Sequence, residues 1–261
     1  IRYAPADGLP ALKKAVIRYT DDQYHHRVRP ENVIVSSGAK QAIMMLLYAI
    51  VEPHDEVVFP APYWVSYPEM VKLAGGVPVP EDGSFHPTMK EIDEVVGSQT
   101  RAIMLNSPNN PSGAVYSREF IAEIVRYCEQ KGIWLVMDDL YARLVFDGLQ
   151  VPNPYEFATD LGPTSKLVVV QGVSKMYAMT GFRIGWAIAN AEVIEAMTNI
   201  QGHQTSGPVT VSQWAAIGAL SGVQTSIETL RLTLQNQRDV MVERLRTIPG
   251  LRLEKPQGTF Y

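Results

Sequence analysis

The 261-residue chain reads as an α/β protein, with a mostly parallel central sheet covered by helices on both faces. Three observations predict this class. Apolar strand candidates alternate with helix candidates along most of the chain, the pattern of an α/β sheet. Several strand candidates are unbroken aliphatic or β-branched runs, such as Val168-Val169-Val170, as strands buried on both faces require. Hydrophobic residues make up 46% and charged residues only 19%, against a usual charged share of roughly 25%.

The elements follow in order. A helix is predicted over 9–25, followed by the β-branched strand 33–36 and the apolar helix 40–51. Strand 56–59, helix 64–74 and strand 77–80 repeat the unit, and helix 88–95 leads to strand 101–105. Helix 118–131 carries Phe-Ile-Ala-Glu-Ile-Val at helical spacing and precedes strand 133–138. Strands 167–171 and 184–189 come next, then helices 191–200 and 209–220.

Near Ser221 the character changes. A single long amphipathic helix is predicted over 223–248, with Ile227, Leu230, Leu234, Val240, Met241 and Leu245 as its apolar stripe. Pro249-Gly250 ends it. Such a helix can link two domains, so the reading is a large domain over 1–222 and a linker helix plus the start of a small α/β domain over 223–261. The segment 251–261 reads as a strand, a turn and the beginning of another strand. With no Met at Ile1 and a stop at Tyr261, the expectation is a fragment of a longer chain.

Composition excludes several classes. With 23 Lys+Arg against 27 Asp+Glu the chain is mildly acidic, whereas a nucleic-acid binder usually shows a basic excess. No apolar run approaches the roughly 18 residues of a membrane span. The single cysteine, Cys128, excludes an intramolecular disulfide and fits a reducing compartment, so the expected location is the cytoplasm. Cys128 sits in a helical pattern with nothing to activate it and reads as structural. No metal site is expected.

Chemistry concentrates after the strand candidates. In Gly172-Val-Ser-Lys-Met-Tyr-Ala-Met-Thr-Gly-Phe-Arg-Ile-Gly185, Lys175 follows a strand among apolar neighbours. Desolvation lowers a lysine's pKa, which suits a Schiff-base or general-base amine. Arg183 offers a planar, permanently charged fork for phosphate oxygens. Taken alone, the pair equally fits a surface lysine and a structural arginine. Ser37-Gly38-Ala39-Lys40 joins a strand to a helix, whose free N–H groups can bind phosphate. Many such turns bind nothing. Asp138 ends a very apolar strand, where a carboxylate is costly unless paired.

Together these segments resemble the class I, aspartate-type, pyridoxal-phosphate-dependent aminotransferases of fold type I. The fourteen-residue segment resembles that family's cofactor-attachment signature, and five shorter motifs, beginning with Tyr3-Ala-Pro-Ala-Asp-Gly8, stand around it in the family's order. The resemblance implies that Lys175 carries pyridoxal 5′-phosphate covalently and shuttles the substrate proton. It implies that Arg183, Ser174 and the turn Gly38-Ala39-Lys40 hold the phosphate. Trp64, in Ala61-Pro62-Tyr63-Trp64, would stack on the cofactor ring, and Pro62 would follow a cis bond. Asn110, in Asn106-Ser-Pro-Asn-Asn-Pro-Ser-Gly113, would bond the phenolic oxygen beside Tyr141. Asp138 would pair with the protonated ring nitrogen. Two positions depart from common members: Ser112 stands for Thr, and Gly172 for a phosphate-binding serine.

The same resemblance implies a homodimer with shared sites, in which Tyr3 reaches the partner's phosphate. It places a substrate-closing arm before Ile1 and the arginine for the substrate α-carboxylate beyond Tyr261. The activity it implies is ping-pong transfer of an amino group from an L-amino acid to a 2-oxo acid. The stretch 51–76 resembles a subgroup in which the lysine at position 40 also recognises a distal carboxylate. Lys40, Trp64 and Asn110 are therefore the substrate-contact candidates. Aspartate with 2-oxoglutarate is favoured, with aromatic amino acids or prephenate as co-substrates. The rival readings are a lyase or cyclopropane-forming synthase on the same scaffold, the sensor domain of a transcriptional regulator, or an inactive fragment with a residual fold.

Overall fold

The computed structural model describes residues 3–158 and 160–261. Its strands are β1 (Val33–Ser36), β2 (Glu56–Pro60), β3 (Val77–Glu81), β4 (Thr100–Asn106), β5 (Trp134–Asp138), β6 (Leu167–Gly172) and β7 (Gly185–Ile188). The helices are α1 (Pro10–Tyr24), α2 (Ala39–Ile50), α3 (Ser66–Leu73), α4 (Met89–Val95), α5 (Arg118–Lys131), α6 (Ala191–Gln204), α7 (Thr210–Ser221) and α8 (Thr225–Leu245). Every strand and helix anticipated up to residue 248 is present, with shifts confined to the ends.

The strands form one seven-stranded sheet in the order β1-β7-β6-β5-β4-β2-β3. β3, β2, β4, β5 and β6 run parallel, while β7 is antiparallel to both its neighbours. Residues therefore alternate between two cores. Val33, Ile103, Leu135, Met137 and Val169 join α1 and α5 on one face. Ile34, Met104, Trp134, Val136 and Val170 join α2, α3 and α6 on the other. This period of two, with both faces apolar, is why the strands read as continuous hydrophobic runs. Fully burying one such Val or Leu contributes about 1.5–3 kcal/mol.

Local sequence sets several boundaries. Pro10 opens α1, where a missing N–H costs nothing. Thr88 and Glu91 exchange side-chain and backbone bonds at the start of α4. Ser117 caps α5, and Gly132 ends it in the left-handed region. Cys128 is buried within α5, which pushes its thiol pKa well up, in keeping with a structural role.

Two expectations fail near the C-terminus. Residues 251–261 form no strand; a single bridge pairs Gly258 with Val145. The segment's backbone partners are loops, with Gln257 and Gly258 donating to Gly113 O and Thr259 to Leu144 O. The stripe on α8 also departs. Ile227 is buried, but Val240 and Met241 are 41% and 58% exposed. Val240 stands roughly 220° round the helix from Ile227, off the packed face. Met241 lies on the stripe but faces an open groove beside Phe146, Leu253 and Phe260. Arg238 takes the buried place instead, its guanidinium paired with Asp147 at 2.8 Å and bonded to Pro256 O at 2.6 Å.

Among the described residues, no helix is long and apolar enough to cross a membrane.

Candidate active site

The cleft lies at the carboxyl ends of the parallel strands, the edge where open α/β sheets bind ligands. β1 ends at Ser36 and delivers Gly38; β4 ends at Asn106, β5 at Asp138, and β6 at Gly172, three residues before Lys175. Because β7 runs the other way, its beginning lies at this same edge and brings Arg183 there. Lys40, Trp64, Asn110, Asp138, Tyr141, Ser174, Lys175 and Arg183 line one cavity of about 230 Å³.

One end of the cavity is built for an anion. Gly38 has φ +88°, and a Cβ there would lie 2.5 Å from Nη2 of Arg183. The absence of a side chain lets the guanidinium lie directly against the turn. Gly185 plays the same part from β7, where a Cβ would lie 2.6 Å from the Gly38 carbonyl carbon. No side chain caps the start of α2, which leaves its positive dipole end uncapped in the turn that packs against Arg183. Arg183 is held by an Nη1 bond to Thr180 O at 2.8 Å.

The other end is a buried carboxyl. Asp138 is 5% exposed. Burial pushes its pKa up to about 6, against the lowering effect of Tyr67, whose hydroxyl donates to Oδ2 at 2.8 Å. Asn106 Nδ2 donates to the Asp138 carbonyl at 2.8 Å, and Asn106 Oδ1 accepts from the Asn110 amide at 2.6 Å. This asparagine therefore ties the β4 loop to the end of β5. Asp139 faces away, where Tyr24 donates to it at 3.2 Å and burial pushes its pKa up to about 7.

Between the two ends sits the amine. Lys175 Nζ lies 5.7 Å from the Tyr141 ring centre and 5.0 Å from that of Phe260. Burial lowers its pKa, and the positive charge of Arg183 lowers it further. Trp64 forms a wall, with Lys40 Nζ 4.7 Å from its ring centre and Tyr67 edge-on at 5.6 Å. The Ala61–Pro62 bond ahead of it is cis.

The profile of the family described as Aminotransferase class I and II matches residues 1–261. The chain belongs to that family. It is 39% identical to an aspartate aminotransferase of Bacillus sp. (strain YM-2), over 100% of this chain and 67% of that protein. It is 38% identical to an aspartate/prephenate aminotransferase of Cereibacter sphaeroides, over 100% of this chain and 66% of that protein. The structure of the Thermus thermophilus aspartate aminotransferase with maleate superposes with a TM-score of 0.93 at 37% identity, covering 98% of this chain and 67% of that one. The chain thus spans about two thirds of the length of these aminotransferases.

In this aminotransferase chain, ten of the eleven anticipated site residues meet at the cleft, with Gly38 against the Arg183 guanidinium and the others lining the cavity. Tyr3 does not: it is 96% exposed and lies beside Thr205, Gly207 and Val209, away from the cleft. Six further residues were not anticipated: Tyr67, Asn106, Leu140, Thr180, Phe260 and Tyr261. Tyr67 stands three residues after Trp64, on one face of the helix predicted over 64–74, a spacing that could have flagged it. Asn106 is a polar residue at a strand end, but only the register opposite Asp138 shows its use. Thr180 and Tyr261 carry no local signal; the chain path alone brings them in.

Proposed function

We propose that this chain binds pyridoxal 5′-phosphate and transfers an amino group from an L-amino acid to a 2-oxo acid in ping-pong order. One observation carries the reading: a pKa-lowered lysine stands between an anion cradle and a buried carboxyl within one cavity. The residues fit the cofactor's chemistry. A phosphate matches the cradle of Gly38, Ala39, Lys40, Ser174 and Arg183. A protonated ring nitrogen matches Asp138, whose burial leaves it in need of a cationic partner. When bound, the cofactor supplies the electron sink for a substrate carbanion.

The remaining work falls to the chain. Lys175 anchors the cofactor. Its amine would also be the group to hold and pass on the substrate α-proton, for which a lowered pKa is the requirement. Trp64, a wall of the cavity, would cover one face of the ring and exclude water from it. Asn110 and Tyr141, which line the same cavity, would hold the phenolic oxygen. Lys40 lies beside Trp64 and reads a distal carboxylate, which favours aspartate and 2-oxoglutarate. The dicarboxylate maleate on the Thermus thermophilus relative supports that choice, and prephenate is the co-substrate named for the Cereibacter sphaeroides relative. The active form is a homodimer in which the exposed Tyr3 serves the partner's site. Residues 1–222 carry every lining residue except Tyr261, and 223–261 are read as a linker helix and the start of a small domain.

The test is spectroscopic. The protein mixed with pyridoxal phosphate should develop the absorption band of a lysine-linked cofactor. Aspartate should convert it to the amine form, and 2-oxoglutarate should restore it. Lys175→Ala should lose the lysine-linked band entirely. A band that aspartate leaves unchanged sinks the transaminase reading.

A further inference from the structure

The tail 256–261 is tied to the two loops that carry the cleft. The Gln257 and Gly258 amides donate to Gly113 O at 2.9 Å, and Thr259 donates to Leu144 O at 2.8 Å. Gln257 Oε1 accepts from the Val115 amide at 2.8 Å. One set of bonds comes from the loop of Asn110 and the other from the loop of Tyr141. The backbone that places those two residues therefore also places Tyr261.

As a result, Tyr261 packs edge-on to Tyr141, with ring centres 6.1 Å apart and the two hydroxyl oxygens 3.2 Å apart. Other polar or titratable groups around Tyr141 are Asp138 from β5, Lys175 after β6, Tyr67 from α3 and the Asn110 side chain. Tyr67 commits its proton to Asp138.

A phenol has one proton and two lone pairs. If Tyr141 donates to Tyr261, it has no proton left for the cleft. If Tyr261 donates, the Tyr141 proton is free to point inward, and the accepted bond polarises that O–H into a stronger donor. An anionic oxygen in the cleft selects the second arrangement.

We propose that Tyr261 is a positioning residue: its hydroxyl donates to Tyr141 and so directs the Tyr141 proton at the cofactor's phenolic oxygen. The inference rests on the pyridoxal-phosphate reading above. It has a spectroscopic consequence. While the nitrogen linking Lys175 to the cofactor is protonated, its N–H satisfies the phenolic oxygen. Once that proton leaves, the oxygen depends on Tyr141 and Asn110. A stronger Tyr141 donor therefore favours the unprotonated link and lowers the pH at which the band changes.

The experiment titrates the absorption band of the cofactor-loaded protein against pH in wild type, Tyr261→Phe, Tyr141→Phe and the double variant. The phenyl ring keeps the packing, and a melting curve checks the fold. Tyr261→Phe should raise the midpoint by roughly half a unit, and Tyr141→Phe should raise it further. Adding Tyr261→Phe to Tyr141→Phe should change nothing, because the effect passes through Tyr141. An unmoved midpoint in Tyr261→Phe, or an equal shift when Tyr141 is already Phe, overturns this inference alone. A wild-type protein without the band overturns the cofactor reading and this inference with it.

Discussion

Tyr67→Phe tests whether the Asp138 environment is electrostatic or merely packed. Tyr67 is 1% exposed and its hydroxyl lies 2.8 Å from Asp138 Oδ2. The substitution removes one oxygen and keeps the ring, so little volume is lost. A hydrogen bond to a charged acceptor contributes about 1.5–3 kcal/mol, and one to a neutral acceptor about 0.5–1.5. Asp138 is pushed from 3.8 up to about 6 in the fold, so it is ionised at pH 8 and protonated at pH 5. The variant should therefore lose about 2 kcal/mol at pH 8 and about 1 kcal/mol at pH 5. The difference of about 1 kcal/mol corresponds to a rise of somewhat under one unit in the Asp138 pKa.

The sign follows from linkage. The folded chain holds the Asp138 proton after the unfolded chain has released it, so this group's contribution is full below about pH 4 and lost by about pH 6. In Tyr67→Phe the decline should extend to about pH 7. Urea unfolding of cofactor-free protein from pH 4 to 8 measures both. A wild-type-to-variant difference that stays constant across that range would leave Tyr67 as packing alone.

Gly38→Ala forces a side chain into the left-handed region at φ +88° and against Arg183. It should cost about 1–2 kcal/mol by urea unfolding and at least roughly tenfold in pyridoxal-phosphate affinity by titration; unchanged affinity would remove the turn from the anion cradle. Arg238→Met removes the bonds to Asp147 and Pro256 O. It should cost about 1–3 kcal/mol and speed hydrogen exchange at Gln257, Gly258 and Thr259 while the β4 amides stay protected. Equal protection in the tail would show that the loops alone hold it.

The fold was legible because its signal is local and repeated. Both faces of β4, β5 and β6 are buried, so their sequences are continuous apolar runs that need no tertiary information to recognise. The tail is not legible in the same way, because 251–261 pairs with loops whose position depends on the whole sheet, while its local pattern of apolar and turn residues is that of a strand. Val240 was misplaced for a similar reason: an apolar residue on a one-sided helix is free to face solvent.

The site divides the same way. Lys175, Arg183, Gly38, Asp138 and Asn110 were readable because each follows a strand within a short motif whose residue types carry the chemistry. The sequence by itself determined the family, the α/β class and this set of groups. Only the tertiary structure decided that the antiparallel β7 brings Arg183 to the strand ends, that Tyr67 supports Asp138, and that the tail sets Tyr261 against Tyr141. Those contacts join residues far apart in the chain, and their existence depends on strand order and register, which no local pattern encodes.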